Sequence, residues 1–147
     1  MSLHTPDLTK YPPRSARVRL GGYVILPRCL DKGRAALAGK NGEYHFACPL
    51  DQRFLEFAGI DPKALKKVLT KSDTEVLKWI EQHARHKHSA PEIAAWSAWQ
   101  EQRAPGALDE RGFFNDLHKS VAPKRTDIAT WFDLLDADDF ASFGGKV

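Results

Sequence analysis

The densest set of chemically capable side chains lies between Pro12 and Cys48, where Arg14, Arg17, Arg28, Lys32 and Arg34 alternate with apolar residues and surround Asp31. A guanidinium presents a planar fork of donors that matches a carboxylate or phosphate at two points. The run therefore reads as a site for a small anionic ligand. Arg28, Asp31 and Lys32 share a face at helical spacing, and the pairs Arg28–Asp31 and Asp31–Arg34 equally suit ordinary helix-surface ion pairs of about 0.2–0.5 kcal/mol each. Just downstream stand Tyr44, His45, Cys48, Asp51 and Arg53. Nucleophilic thiol chemistry needs a cysteine near a base; His45 precedes Cys48 by three residues, and Pro49 opens a helix whose positive end would favour a thiolate. Cys48 and His45 are thus candidate catalytic residues, with Cys29 joining them if the turn folds back. The same residues also suit plain packing, because small apolar cysteines commonly fill cores. In the binding reading, Tyr44 and His45 supply oriented polar contacts beside the cations, and Asp51 and Arg53 complete the set.

Other chemistries have less support. The cluster HARHKH brings His83, His86 and His88 together, but Arg85 and Lys87 would repel a divalent ion and no paired cysteine ligands exist, so no metal and no cofactor are expected. A sequence pI near 8.9 without a continuous basic stripe or a base-reading element argues against a nucleic-acid partner, despite Lys63, Lys66 and Lys67 after Gly59. Tyr23–Leu26 is the longest apolar run and is far too short to cross a bilayer, while Pro6 and Asp7 stand where a secretory signal needs an apolar block. Two cysteines do not frame a small secreted protein. These features point to a cytoplasmic chain with free thiols and no membrane contact.

Charge is unevenly spread. The net value is +3, yet residues 1–40 hold eight Lys or Arg against Asp7 and Asp31. After residue 126, Asp127, Asp133, Asp136, Asp138 and Asp139 face only Lys146. A basic start can dock on an acidic end within one fold, or attract an anionic partner.

The elements that must position these groups read as helices. From Val18 to Leu37 the apolar residues sort to one side, with Arg17, Arg28, Asp31 and Lys32 opposite; Pro27 and Gly21-Gly22 mean a kink or a start near Val24. A tight turn over Lys40–Glu43 leads to at most a very short β element at Tyr44–Phe46. Helices follow over Pro49–Ala58, from Asp61-Pro62 to Leu69, from the capping boxes Ser72/Glu75 and Ser89/Glu92, over Asp109–Val121, and from Asp127 with Ile128, Trp131, Leu134 and Leu135. Trp96, Trp99 and Trp131 fall on apolar stripes and are assigned to the core, and Phe113, Phe114 and Leu117 form the apolar side of the helix over Asp109–Val121. With 147 residues and 42% hydrophobic content, the expectation is an all-α, single compact domain of six to seven short helices, with residues 1–14 as an extended N-terminal arm.

The residues Pro12-Pro13-Arg14-Ser15, Arg19-Leu20-Gly21-Gly22, Leu26-Pro27-Arg28, Leu30-Asp31-Lys32-Gly33-Arg34-Ala35, Cys48-Pro49-Leu50-Asp51 and Gly59-Ile60 resemble a family of short bacterial proteins known as a domain of unknown function, the 5069 group. The resemblance implies a bacterial, intracellular, free-standing domain and brings no reaction, ligand or catalytic residue with it. The functional expectation therefore rests on the residues: binding of a small anionic ligand. The alternatives are a non-catalytic adaptor meeting an acidic protein or a second copy of the chain, and a cysteine-dependent enzyme.

Overall fold

Side-chain caps and first-turn prolines set most of the helix boundaries. The computed structural model describes residues 5–145, and among them it contains seven helices: α1 (Leu26–Leu37), α2 (Pro49–Ala58), α3 (Pro62–Lys66), α4 (Asp73–His83), α5 (Ala90–Gln102), α6 (Leu108–Val121) and α7 (Trp131–Ser142). Ser72, Ser89 and Thr130 each accept a hydrogen bond from the third helical N–H, and the acidic residue there reaches back in a capping box. Pro27, Pro49, Pro62 and Pro91 occupy first turns, where a missing N–H costs nothing. The result is an all-α, single compact domain.

Three local expectations are corrected, and the allowance of at most a very short β element is met. Residues 18–25 are not helical: Leu20 and Tyr23 exchange backbone hydrogen bonds of 3.1 and 3.0 Å across Gly21 and Gly22, whose φ angles of 60° and 86° suit a turn that side chains resist. Pro27 therefore starts α1 and does not kink it. No strand forms at Tyr44–Phe46, because the turn from Gly42 runs directly into α2. The last helix starts at Trp131, since Thr130 caps it and leaves Ile128 in the preceding loop. Trp99 and Phe113 are 58% and 64% exposed, because α5 and α6 bury narrower faces than their apolar stripes suggest.

α1 lies at the centre of the molecule, with every residue from Leu26 to Ala35 buried, including Arg28, Asp31, Lys32 and Arg34. Its apolar side joins Tyr23, Phe54, Leu65, Val76, Ile80 and Phe132 in the main core. Tyr23 meets Phe54 edge-on at 5.0 Å, and Phe57 stacks between His88 and Trp96. A smaller core lies between α6 and α7, around Phe114, Ile128, Leu134 and Ala137. α7 joins the two cores, Phe132 facing one and Leu134 the other.

The chain before α1 covers the side that the sequence pattern assigned to water. Residues 1–4 of the expected arm lie outside the described residues; from residue 5 the segment is non-helical, with Pro6, Leu8 and Pro13 buried. Leu8 N–H donates to Lys40 at 2.8 Å, and a Cβ on Gly42 would come within 2.7 Å of the Leu8 carbonyl oxygen, so glycine is required for this approach. Ile25 sits at φ 74°, an unfavourable angle for a β-branched residue, held by its bond to the Ala16 carbonyl at 2.8 Å and complete burial. Ser97 on α5 pins the same loop: its hydroxyl donates to Gly22 O at 2.6 Å and accepts from Val24 N–H at 3.1 Å. Ser97→Ala leaves both buried backbone groups unpaired and is expected to lower stability by about 1–3 kcal/mol. Urea unfolding checks this, and an unchanged midpoint would show that the loop does not depend on the pin.

Candidate functional site

Arg28, Lys32 and Arg34 are buried, Arg14 is half-buried and Arg17 exposed, and a carboxylate from elsewhere in the chain meets each of these five. Arg28, 3% exposed, pairs bidentately with Asp139 on α7 at 2.7 and 3.1 Å. Tyr44 donates its hydroxyl to the same carboxylate at 2.8 Å, and the Arg28 guanidinium lies 5.5 Å from the Tyr44 ring centre. Burial works against the charge on Arg28, but Asp139 outweighs it and raises its pKa. Burial and Asp139 together also hold the Tyr44 phenol in its neutral, donating form.

Lys32, equally buried, places Nζ 3.0 Å from Asp51 Oδ1 and 3.0 Å from Cys48 Sγ. Asp51 is fully buried at the start of α2, and its other oxygen accepts from Ala47 N–H at 2.9 Å. Cys48 caps α2 and is partly exposed, whereas Cys29 on α1 is 0% exposed. Burial first, then Asp51, push the Cys29 thiol well above its usual range, which makes it a packing residue. His45 is exposed and makes no hydrogen bond to Cys48 among the described residues. The partner the structure gives Cys48 is thus Lys32.

Arg14 and Arg34 form a separate network on the other side of α1. Arg14 grips Asp31 through Nε and NH2, both at 3.0 Å, and reaches Asp73 at 2.8 Å. Arg34 also binds Asp73, at 2.7 Å, and donates to the Leu69 and Lys71 carbonyls that follow α3. Arg17 lies apart again, bound to Asp133 and Asp136 on α7. Arg53 is separate from all of these, over the Trp99 ring at 6.0 Å. The ten sequence-named binding residues therefore fall into four places.

Each of these places borders a hollow, and the one that gathers the most of the named residues lies at Arg28. A cleft of about 650 Å³ opens between α1, the turn before α2, and the C-terminal half of α7. It brings together Arg28, Lys32, Tyr44, His45 and Cys48 from the sequence reading. Leu8, Leu50, Leu135 and Phe143 give it apolar walls, and Glu43, Asp138 and Asp139 line it as well. Burial, reinforced by the charge of Asp139, lifts the Asp138 carboxyl above its ordinary range. Residues 135–143 have no motif that marks them as site-forming; the one signal was the acidic bias of the tail against the basic start.

A model of the family described as domain of unknown function (DUF5069) matches residues 10–141. The chain belongs to that family. No match to it was found among curated proteins. The matched span contains Arg14 through Asp139, so both ends of the charge network lie inside the family domain. No helix among the described residues is long and apolar enough to cross a membrane. The histidine cluster is split: His83 stacks on Trp79, His88 on Phe57, and His86 lies beside Gly59.

The Arg14–Asp31–Arg34–Asp73 network makes stability depend on pH. Burial alone would raise the Asp73 carboxyl, but hydrogen bonds from Arg14 and Arg34 outweigh it and bring it below 3.8. A depressed carboxylate stabilises the fold above its unfolded pKa, and that contribution is lost as pH falls through the lower folded value. The urea midpoint is therefore expected to drop as pH falls below about 5, with Asp73→Asn showing a shallower drop. Equal slopes for the two proteins would contradict the role given to Asp73.

Proposed function

We propose that the cleft between α1, α2 and α7 binds a small organic ligand with an apolar body and a carboxylate or phosphate head. The observation that carries this reading is the Lys32 ammonium on the cleft lining, held by Asp51 and Cys48. An ammonium has three N–H donors; Cys48 Sγ takes one and Asp51 is met as an ion pair, which leaves a donor for a ligand acid. The apolar body lies against Leu8, Leu50, Leu135 and Phe143, and Tyr44 and His45 stand at the polar wall. Because Asp138, Asp139 and Glu43 offset Arg28 and Lys32, the cleft is no strongly positive funnel. Recognition then relies on short-range hydrogen bonds rather than on long-range attraction, and association depends weakly on salt.

A second reading rests on the contact between Lys32 and Cys48. Nζ donates to Sγ at 3.0 Å at the edge of a cleft, with Asp51 fixing the ammonium from behind. That arrangement suits a thiol meeting an electrophilic ligand, with the lysine beside the sulfur as a proton carrier. It replaces the histidine expected from the HisxxCys spacing.

Both readings are tested on the intact chain by a thermal-shift screen of monocarboxylates and phosphate monoesters, followed by iodoacetamide labelling. A ligand at about 100 times its dissociation constant stabilises by about 2.7 kcal/mol and should shield Cys48 from alkylation. The paired neutral variant Lys32→Met/Asp51→Asn should fold, because it removes both buried charges together, and should lose the thermal shift. Ligands that stabilise without protecting Cys48 would place binding elsewhere. Absence of a shift across both classes would overturn the proposal.

A further inference from the structure

A second groove lies on the opposite side of the first turn of α2 and shares no lining residue with the cleft. It measures about 710 Å³ and runs between α2 and α5, bounded by Pro49, Gln52, Arg53, Glu56, Phe57, Trp96, Trp99 and Gln100. Three features of it are unspent by the fold.

The first is an amide oxygen. Gln100 is 1% exposed, yet its Oε1 has no hydrogen-bond partner among the described residues. A buried carbonyl without a donor costs free energy, and a ligand N–H can remove that cost. The second is a pair of like charges, Arg53 on the lining and Arg103 outside it at the C-terminal end of α5, one turn beyond Trp99 and Gln100. Arg53 and Arg103 form no ion pair among the described residues, in contrast to Arg14, Arg17, Arg28 and Arg34. Burial first, and then the charge of Arg53, depress the Arg103 pKa, with Glu110 offsetting them in part. Glu56 stands one turn from Arg53 on α2 and also forms no ion pair with it. The third is an exposed ring. Trp99 is 58% exposed beneath the Arg53 guanidinium, one turn before Arg103, while Phe57 and Trp96 form a stacked pair at 4.6 Å along the groove.

A planar face, a buried acceptor and two unpaired guanidiniums select one ligand chemistry. The ligand needs an aromatic ring to stack on an indole, an N–H to reach Gln100 Oε1, and an anion to sit between the arginines. A benzoate lacks the N–H, and inorganic phosphate lacks the ring. We infer that the α2–α5 groove is a mononucleotide site, with the base against Trp99 and Gln100 and the phosphate between Arg53 and Arg103. Base stacking on an aromatic side chain tolerates different bases, so the donor demanded by Gln100 supplies the selectivity. GMP, with an N1–H and an exocyclic amine, and AMP, with an exocyclic amine alone, both satisfy it.

The test is tryptophan fluorescence of the full chain, excited at the red edge of indole absorption, during titration with GMP and AMP. Saturable quenching by at least one of them is expected, absent in Trp99→Leu and unmatched by guanosine or inorganic phosphate. Arg53→Gln and Gln100→Leu should each weaken binding by about tenfold or more, with circular dichroism showing that the variants stay folded. Neither side chain gives up a hydrogen bond or an ion pair among the described residues, and leucine keeps most of the buried volume of Gln100. No saturable quenching, equal affinity for guanosine, or unchanged affinity in both variants would overturn the assignment. Binding of a single-stranded oligonucleotide without binding of either mononucleotide would also overturn it. None of these outcomes bears on Cys48 protection, so this site and the α1–α7 cleft stand or fall separately.

Discussion

The buried ion pair between Arg28 and Asp139 is the contact on which the rest of the arrangement depends. It joins the first turn of the central helix to the last helix across 111 residues, and both side chains are at least nine-tenths removed from water. Two charges enter such a place only together and with their donors satisfied, because one left alone costs several kcal/mol. α7 is therefore tied to α1 in one register. Arg17 with Asp133 and Asp136 repeats the attachment nearer the surface, where it contributes less. Once α7 is so placed, its C-terminal half forms one wall of the cleft, and Phe132 and Leu134 unite the two apolar cores.

This arrangement changes what the basic start of the chain means chemically. Arg14, Arg17, Arg28, Lys32 and Arg34 hold the fold together before any of them meets a ligand. Positions with donors remaining can also bind, among them Lys32 in the cleft and Arg53 outside the network. The proposed functions build on those two: one site where a buried ammonium keeps a free N–H, and another where two guanidiniums form no ion pair. Both use α2, whose N-cap and first turn place Cys48 and Asp51 beside Lys32 on one side while its second turn carries Arg53 toward the other.

Local signals in the sequence were readable where short-range physics decides the outcome. Ser72/Glu75 and Ser89/Glu92 mark real helix starts, and Gly59 ends α2, because each depends on a hydrogen bond or a φ angle within a few residues. The stretch Val18–Ile25 misled because its apolar spacing fits a helix, while the Gly-Gly turn and the Ser97 hydroxyl, 75 residues away, fix it as a loop. Thr130 was overlooked as a cap because Asp127 and Ile128 extend the helical pattern backwards. Trp99 and Phe113 were assigned inside from periodicity alone, which does not reveal whether a neighbour covers the stripe. The cleft was half legible: its Arg28–Cys48 side lies within one segment, whereas its Leu135–Phe143 side comes from tertiary docking. Opposite charge at the two ends was the only trace of that docking in the chain, and it did not say which arginine meets which aspartate.

A double-mutant cycle on Arg28 and Asp139 is the most direct measurement. Urea unfolding of Arg28→Met and of Asp139→Asn should each show a loss of about 3–5 kcal/mol, and the combined variant should lose at least about 2 kcal/mol less than the sum of the two. Additive losses, or single losses below about 0.5 kcal/mol, would mean that the ends of the chain are held by apolar packing and that this pair is not what places α7.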